Sequence, residues 1–127
     1  MSLRELAYRL LQETYYDSVD RGNMEAAASA LHEDVEWSHA QVWAHHDFQR
    51  GAPSVKRGRA AVRSYLDERK EKLKEARIQH KVRDLVCEGN RGALLGFVLG
   101  PDGTEKPFMA WFEIRDEKIV RYLLRPL

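Results

Sequence analysis

His39 and Tyr15 carry side chains suited to acid–base chemistry on a small molecule. An imidazole has an unperturbed pKa of about 6.5, so a histidine can take up or release a proton at neutral pH. A tyrosine hydroxyl can donate a hydrogen bond to the carbonyl oxygen of a ligand. Both residues also have a purely structural interpretation, because polar atoms of buried side chains are commonly satisfied within the protein itself.

Aromatic and histidine side chains elsewhere could complete a binding site. His80 alternates with Ile78 and Val82, so all three side chains are expected on the inner face of one strand. Trp37 and Trp43 could wall an apolar pocket, although core packing explains Trp37 equally well. The other predicted wall residues are Phe97, Phe108 and Phe112.

Neither a metal site nor a covalent nucleophile is predicted. His39, His45, His46 and Asp47 include the ligand types of zinc and non-haem iron sites. Adjacent histidines in a strand point in opposite directions, however, and a histidine-rich loop is usually only polar. Cys87 has no partner thiol and no evident base nearby, so we expect no nucleophilic role and no cofactor.

Length and composition favour one small globular domain spanning residues 1–127. Net charge is +1, which argues against nucleic acid as a partner. The longest apolar run, from Ala93 to Leu99, is too short to span a bilayer, so no membrane association is expected. A single cysteine and an N-terminus without an apolar core predict a cytoplasmic protein.

Capping signals predict two helices at the start of the chain. Ser2 and Glu5 have capping-box spacing and precede apolar residues at helical intervals. Gly22 tolerates the left-handed conformation that ends a helix, and Asn23 can cap the next one. We therefore expect one helix up to Gly22 and a second over residues 24–31.

The sequence pattern in the middle of the chain predicts a brief strand, a loop and a third helix. Val35 and Trp37 alternate with polar residues, as in a half-buried strand. Residues 40–57 show no clean period and indicate a long loop. From Gly58 to about Glu75 the apolar residues return at helical spacing.

Four strands joined by turns fill the C-terminal half. Turn-forming residues separate the segments 78–87, 91–99, 106–115 and 118–125. Such short connections permit only antiparallel pairing between neighbours, because parallel strands need a crossover of about a dozen residues or more. The sequence therefore predicts an α+β domain with helices covering one face of an antiparallel sheet.

Four sequence stretches in this order resemble a known superfamily. They are YYDSVDRGN at 15–23, HEDVEW at 32–37, RGRAAV at 57–62 and IRDEKIV at 114–120. They are similar to signatures of nuclear transport factor 2-like proteins, in particular the SnoaL-like polyketide cyclase and ketosteroid isomerase-like members. The resemblance implies a cone in which a curved antiparallel sheet wraps around three N-terminal helices. It also implies a pocket at the open end of the cone and assembly as a homodimer.

The resemblance suggests roles for individual residues. Steroid isomerase members use a tyrosine late in the first helix, a carboxylate base after the first strand and a protonated acid on a later strand. Tyr15 matches that tyrosine, with Tyr16 as the adjacent alternative. The base position falls at Ser38 or His39, and residues 110–111 at the acid position are not carboxylic acids. The carboxylate–arginine–carboxylate arrangement of epoxide hydrolase members is not evident. His39 is therefore the predicted substitute base, with Tyr15 stabilising the oxyanion.

Two kinds of function remain open from the sequence. One is a cofactor-independent isomerase, cyclase or dehydratase acting on a small apolar substrate that bears a carbonyl or hydroxyl group. The alternative is a non-catalytic domain that binds an apolar ligand or another protein. A cavity containing a histidine and a tyrosine hydroxyl favours the enzyme, whereas a dry apolar cavity favours the binder.

The outer face of the sheet is predicted to form a homodimer. On the third of the four strands, Met109 and Trp111 alternate with an uncharged set expected in the core, namely Phe108, Ala110, Phe112 and Ile114. Leu85 and Cys87, together with Tyr122 and Leu124, are expected to extend the outer patch. An exposed apolar surface of this kind suggests a protein partner.

Overall fold

A computed structural model describes residues 1–43 and 52–127 of the chain. In chain order it contains two helical elements, two strands, a third helix and four further strands. The helices are α1, α2 (Met24–Ala28) and α3 (Arg59–Ala76), where α1 comprises the consecutive segments Leu3–Tyr8, Arg9–Tyr16 and Asp17–Arg21. The strands are β1 (Leu31–His39), β2 (Ser54–Arg57), β3 (Gln79–Glu88), β4 (Arg91–Leu99), β5 (Glu105–Arg115) and β6 (Lys118–Pro126).

The predicted caps delimit the first helix. The Ser2 side chain accepts a hydrogen bond from the backbone N–H of Glu5. α1 ends at Gly22, whose φ of 78° lies in the left-handed region. Its middle segment, Arg9–Tyr16, has the π-helical hydrogen-bond pattern. This pattern is rare in proteins, and where it occurs it is often at a functional site.

The second helix is shorter than predicted. The Asn23 side chain caps it by accepting from the Ala26 N–H, as expected. It ends at Ala28, however, because Leu31 begins strand β1 and pairs with Ile119 of β6. Leu31 is buried in the sheet, so an apolar residue at helical spacing here serves a strand.

Six strands form one sheet in the order β2-β1-β6-β5-β4-β3. The last four strands pair antiparallel with their neighbours, as the turn signals predict. β1 joins this meander by parallel pairing with β6. β2 lies within the predicted loop and pairs antiparallel with β1; its four residues are too few for a periodic sequence signal.

Part of the predicted outer patch lies in the core, because β3 contains a bulge. Register shifts between Val82 and Asp84, so the side chains after the bulge alternate in the opposite phase. Leu85 is consequently buried and Cys87 packs against the core. On β6, Tyr122 and Leu124 are also buried, which was not expected; a register shift between β5 and β6 precedes them.

The core lies between the helices and the inner sheet face. All four predicted inward residues of β5 are buried, whereas Met109 and Trp111 are exposed, as predicted. Gly96 of β4 lies beneath the Phe108 ring, and a Cβ there would be 2.8 Å from that ring and 2.7 Å from the Lys81 carbonyl oxygen. Glycines at such positions allow close packing and curvature of the sheet. None of the helices within the described ranges is long and apolar enough to cross a membrane.

Candidate functional site

A cavity of about 40 Å³ opens between α1, β1, α3 and the inner face of the sheet. Residues with polar atoms on its wall include Tyr15, Tyr16, His39, His80 and Tyr122. A single ordered water needs about 10–15 Å³, so the cavity is large enough for several waters or a small ligand group. It brings together residues from both halves of the chain.

Tyr15 contributes a hydroxyl hydrogen to this cavity. The ring is buried, and its oxygen accepts a hydrogen bond from Trp37 Nε1 at 3.0 Å. Among residues 1–43 and 52–127, no group accepts a hydrogen bond from the Tyr15 hydroxyl. Burial raises the pKa of Tyr15, so the hydroxyl stays protonated and can donate to a ligand.

His39 stands at the end of β1 as a neutral imidazole. Its ring stacks on Trp37 with a centroid distance of 5.5 Å and an interplanar angle of 6°. Burial lowers the pKa of His39 to about 3, and the electrostatic effects of His80, Arg69 and Arg125 add to the decrease. The ring is thus uncharged at neutral pH, but it is a weak base.

His80 and Asp20 form a hydrogen-bonded pair at the wall of the cavity. His80 Nδ1 lies 2.7 Å from Asp20 Oδ1, and the His80 backbone N–H donates to Asp20 Oδ2 at 2.7 Å. Each side chain is only 11% exposed. An ionised carboxylate only accepts hydrogen bonds, so beside such a group Nδ1 is the donor, and a neutral ring in that tautomer has its lone pair at Nε2.

Asp20 is a candidate that the sequence reasoning missed. It lies within the first quoted stretch, four residues after Tyr16 on α1, so the i, i+4 spacing was a usable signal. Its partner is 60 residues away in sequence, and only the packing of α1 against β3 brings the two together. A carboxylate bound to one ring nitrogen holds a histidine in one orientation and tautomer, as in hydrolytic triads.

Tyr16 and Tyr122 form a second hydrogen-bonded pair in the cavity wall. Their hydroxyl oxygens are 2.8 Å apart, and both residues are almost fully buried. Burial raises the pKa of each hydroxyl, so both are neutral. Tyr16 also stacks on the His80 ring, with centroids 5.5 Å apart and planes at 19°. Tyr16 therefore packs against one face of the imidazole and is itself held by Tyr122.

Trp43 and Arg69 shape the rim of the cavity. Gln41 joins them, donating through Nε2 to the Trp43 carbonyl oxygen at 2.9 Å and accepting from Arg69 Nη2 at 3.3 Å. The Arg69 guanidinium lies over the Tyr65 ring, 5.1 Å from its centroid. The Trp43 indole packs directly on Gly100, where a Cβ would lie 2.2 Å from the ring.

The structure separates the predicted wall residues into two groups. Trp37, Trp43 and His80 line the cavity together with Tyr15 and His39. The three phenylalanines are not among the residues that line this cavity: Phe108 and Phe112 are buried in the core, and Phe97 lies on the outer face.

Alternation along the strands explains the positions of the phenylalanines. Leu94, Gly96 and Val98 of β4 face inward, which turns Phe97 outward beneath the Arg83 guanidinium. Phe108 packs behind the cavity, with its ring centroid 5.9 Å from that of Tyr16. It supports the wall and is not part of it.

The other sequence candidates carry no site in the described residues. His45, His46 and Asp47 lie outside those residues. Among the residues that are described, no group of three or more histidine, cysteine or acidic side chains could hold a metal ion. Burial raises the pKa of the Cys87 thiol, which disfavours the reactive thiolate.

A family model described as a SnoaL-like domain matches residues 13–122 of the chain. That range includes Tyr15, Asp20, His39 and His80 together with five of the six strands in full. The chain has no significant match among curated proteins.

Solved structures with the same architecture come from several bacteria. A Kribbella flavida protein provisionally named a ketosteroid isomerase has 19% identity and a TM-score of 0.66, over 98% of this chain and 77% of its own. A Sinorhizobium meliloti protein provisionally named a polyketide cyclase has 17% identity and a TM-score of 0.63, over 88% and 90% respectively. A nuclear transport factor 2-like protein of unknown function from Burkholderia pseudomallei has 16% identity and a TM-score of 0.67, over 100% and 92%. At these identities the likeness establishes a shared fold, as the sequence resemblance predicts.

Proposed function

Because this chain belongs to the SnoaL-like domain family, we propose that it is an acid–base enzyme of the isomerase, cyclase or dehydratase type. The substrate class is a small, largely apolar molecule that bears a carbonyl or hydroxyl group, and the chemistry needs no cofactor. One observation carries the proposal. The Asp20-bound imidazole of His80 lies on the wall of the same cavity as the protonated hydroxyl of Tyr15.

His80 acts as the base in this proposal. With Nδ1 held by Asp20, Nε2 removes a proton from the carbon next to the substrate carbonyl. The C–H electron pair then forms a double bond to the carbonyl carbon, and the C=O π pair moves onto the carbonyl oxygen. Tyr15 donates its hydroxyl hydrogen to that oxygen and stabilises the negative charge. Return of the proton from Nε2 to a different carbon completes an isomerisation. In a dehydration, the carbonyl re-forms, the enolate expels a β-hydroxyl group, and the proton on Nε2 passes to the departing oxygen, which leaves as water.

His39 serves as a hydrogen-bonding group and not as the base. A conjugate acid with a pKa of about 3 provides little driving force for proton abstraction at neutral pH. A neutral imidazole can still orient a ligand hydroxyl or carbonyl group through a hydrogen bond. Tyr15 thus keeps the role that the family resemblance implies, and the base role passes from His39 to His80.

Deuterium exchange tests the proposal with simple ketones. In D2O, we expect the protein to accelerate incorporation of deuterium next to the carbonyl of acetone or cyclohexanone, measured by NMR. His80→Gln and Tyr15→Phe should each reduce the protein-dependent rate by about 10²-fold. His39→Gln should have a smaller effect, and Tyr8→Phe, at an exposed position on α1, should have none.

The competing function is non-catalytic ligand binding. Aromatic rings of Trp37, Trp43 and Tyr65 along the cavity favour it. Ketone binding seen by saturation-transfer NMR without any exchange above the buffer rate would contradict the enzyme and support the binder. So would a His80→Gln variant with altered affinity and an unchanged exchange rate.

We also propose that the outer sheet face joins two copies of the chain. Side chains of Val86, Ala93, Trp111 and Leu123 follow one another in register across β3, β4, β5 and β6. Val86 is 63% exposed and Trp111 is 37% exposed, and Met109 lies beside them. This apolar row is continuous across four strands, so it is a suitable centre for an interface.

A ladder of alternating charges borders the apolar row. In register across the sheet, its members are Glu88, Arg91, Glu113, Arg121, Glu36 and Arg57. A surface with both signs in alternation can be self-complementary across a two-fold axis. Light scattering should give the mass of a dimer for the native chain and of a monomer for Trp111→Glu, with Tyr8→Glu on α1 as the control. A monomer mass for the native chain at tens of micromolar concentration would contradict the dimer.

A further inference from the structure

Three residues of α1, spaced by four, hold His80 from one side. Gln12 Nε2 donates to the His80 carbonyl oxygen at 2.9 Å, and Gln12 Oε1 accepts from the Val82 N–H at 2.7 Å. Tyr16 stacks on the imidazole. Asp20 binds both the backbone N–H and the ring Nδ1 of His80. The histidine is therefore fixed at its backbone and at its ring by one helix.

These side chains take the place of a neighbouring strand. β3 is an edge strand, so its backbone groups on the free side need partners other than a sheet neighbour. Gln12 and Asp20 supply them for both backbone groups of His80, and Gln12 also supplies one for Val82. This segment lies immediately before the bulge in β3. Its position thus depends on the helix as well as on the sheet.

Gln12 is held rigidly enough to act in this way. Its side chain is buried, with 6% of the residue exposed, and Nε2 also donates to Asp17 Oδ1 at 2.9 Å. Both amide atoms are thus engaged, through three hydrogen bonds in all. Rotating the amide would leave buried donors and acceptors unpaired, which is strongly disfavoured.

Two of the three residues lie in the π-helical segment of α1. Residues four apart lie one above the other on the same face of a helix. Gln12 and Tyr16 both lie within Arg9–Tyr16, and Asp20 follows one turn later in Asp17–Arg21. The spacing of four therefore places a continuous row of contacts along His80.

We propose that Gln12 is a positioning residue for His80. By fixing the backbone of His80 it keeps Nδ1 within reach of Asp20 and leaves Nε2 for the cavity. The inference rests on the proposed function for its relevance to catalysis, but the positioning itself is a property of the ligand-free protein. Gln12→Met, which keeps the side-chain length and removes all three hydrogen bonds, is the direct perturbation.

Nitrogen-15 NMR of the imidazole in the ligand-free protein provides the test. The native chain should show His80 as one tautomer, with the proton on Nδ1 and a protected N–H signal. In Gln12→Met we expect a mixture of tautomers and an N–H that exchanges with water at least about fivefold faster, the factor for one lost hydrogen bond. Ile119→Val, a core change on β6 away from this network, should lower the unfolding midpoint and leave the His80 spectrum unchanged.

Each outcome decides the question. A Gln12→Met protein that retains the single tautomer and the native exchange rate would overturn the positioning role, whatever its stability. If that variant does not fold, Gln12→Glu keeps an acceptor for the Val82 N–H and provides the same readout. Failure of the proposed function would be seen separately. In that case His80→Gln would exchange ketone hydrogens at the native rate, while Gln12→Met would still change the imidazole spectrum of His80.

Discussion

Removing one hydroxyl from the Tyr16–Tyr122 pair should destabilise the protein more than removing both. In Tyr16→Phe, the Tyr122 hydroxyl loses a partner 2.8 Å away and stays almost fully buried. An unpaired buried polar group costs about 1–3 kcal/mol. Tyr122→Phe likewise leaves the buried Tyr16 hydroxyl without its partner. The double variant removes both polar groups and keeps both rings, so its cost should be close to zero.

The magnitude follows from the surroundings of the pair. Each hydroxyl lines a cavity of about 40 Å³, so a water molecule could enter and reduce the cost of a single substitution. We therefore expect about 1–2 kcal/mol for each single variant and no more than about 1 kcal/mol for the double variant. The resulting coupling free energy should be about 1–4 kcal/mol, well above the error of a double-mutant cycle.

Urea unfolding of the four proteins measures this coupling. The free energies of unfolding, obtained from transitions with a common slope, are combined in the cycle. Tyr8→Phe is a suitable control, because Tyr8 is exposed on α1 and its change should stay within about 0.5 kcal/mol. If the two single effects simply add in the double variant, the hydroxyl pair contributes no interaction and the reasoning is refuted.

Two further predictions concern stability. The folded pKa of His39, about 3, lies below its ordinary value of 6.5, so the unfolded chain takes up the proton first as the pH falls. The stability that depends on this neutral imidazole is present above pH 6.5 and is lost as the pH falls towards 3, by at most about 1.4 kcal/mol per pH unit. The unfolding free energy of His39→Gln, measured in urea, should therefore depend less steeply on pH over that window. The same pH dependence in His39→Gln and the native chain would contradict the burial argument. Gly96→Ala should destabilise by about 1–3 kcal/mol because its Cβ meets the Lys81 carbonyl and the Phe108 ring, whereas Gly89→Ala, with open space but a φ of 63°, should cost about 1 kcal/mol. An unfolding free energy of Gly96→Ala within about 0.5 kcal/mol of the native value would contradict the close packing at Gly96.

Local chemistry determined where most elements begin and end. Ser2, Gly22 and Asn23 mark helix boundaries through their own side chains or backbone freedom, so the sequence alone predicts them. The bounds of Arg91–Leu99 agree with the prediction because turn residues flank this strand on both sides. The alternation along β5 is uninterrupted, so the predicted core face of that strand is also confirmed.

Tertiary structure decided the features that depend on distant contacts. The bulge in β3 reverses the phase of Leu85 and Cys87, and no local pattern marks it. His80 and Asp20 meet only because α1 packs against an edge strand whose backbone needs partners. His39 is a weak base because of burial in the folded chain, which its residue type cannot reveal. The sequence thus predicts helix ends, turns and strand alternation, because neighbouring residues determine them. The orientation and proton affinity of the site residues depend on groups that are far apart in the sequence and meet only in the fold.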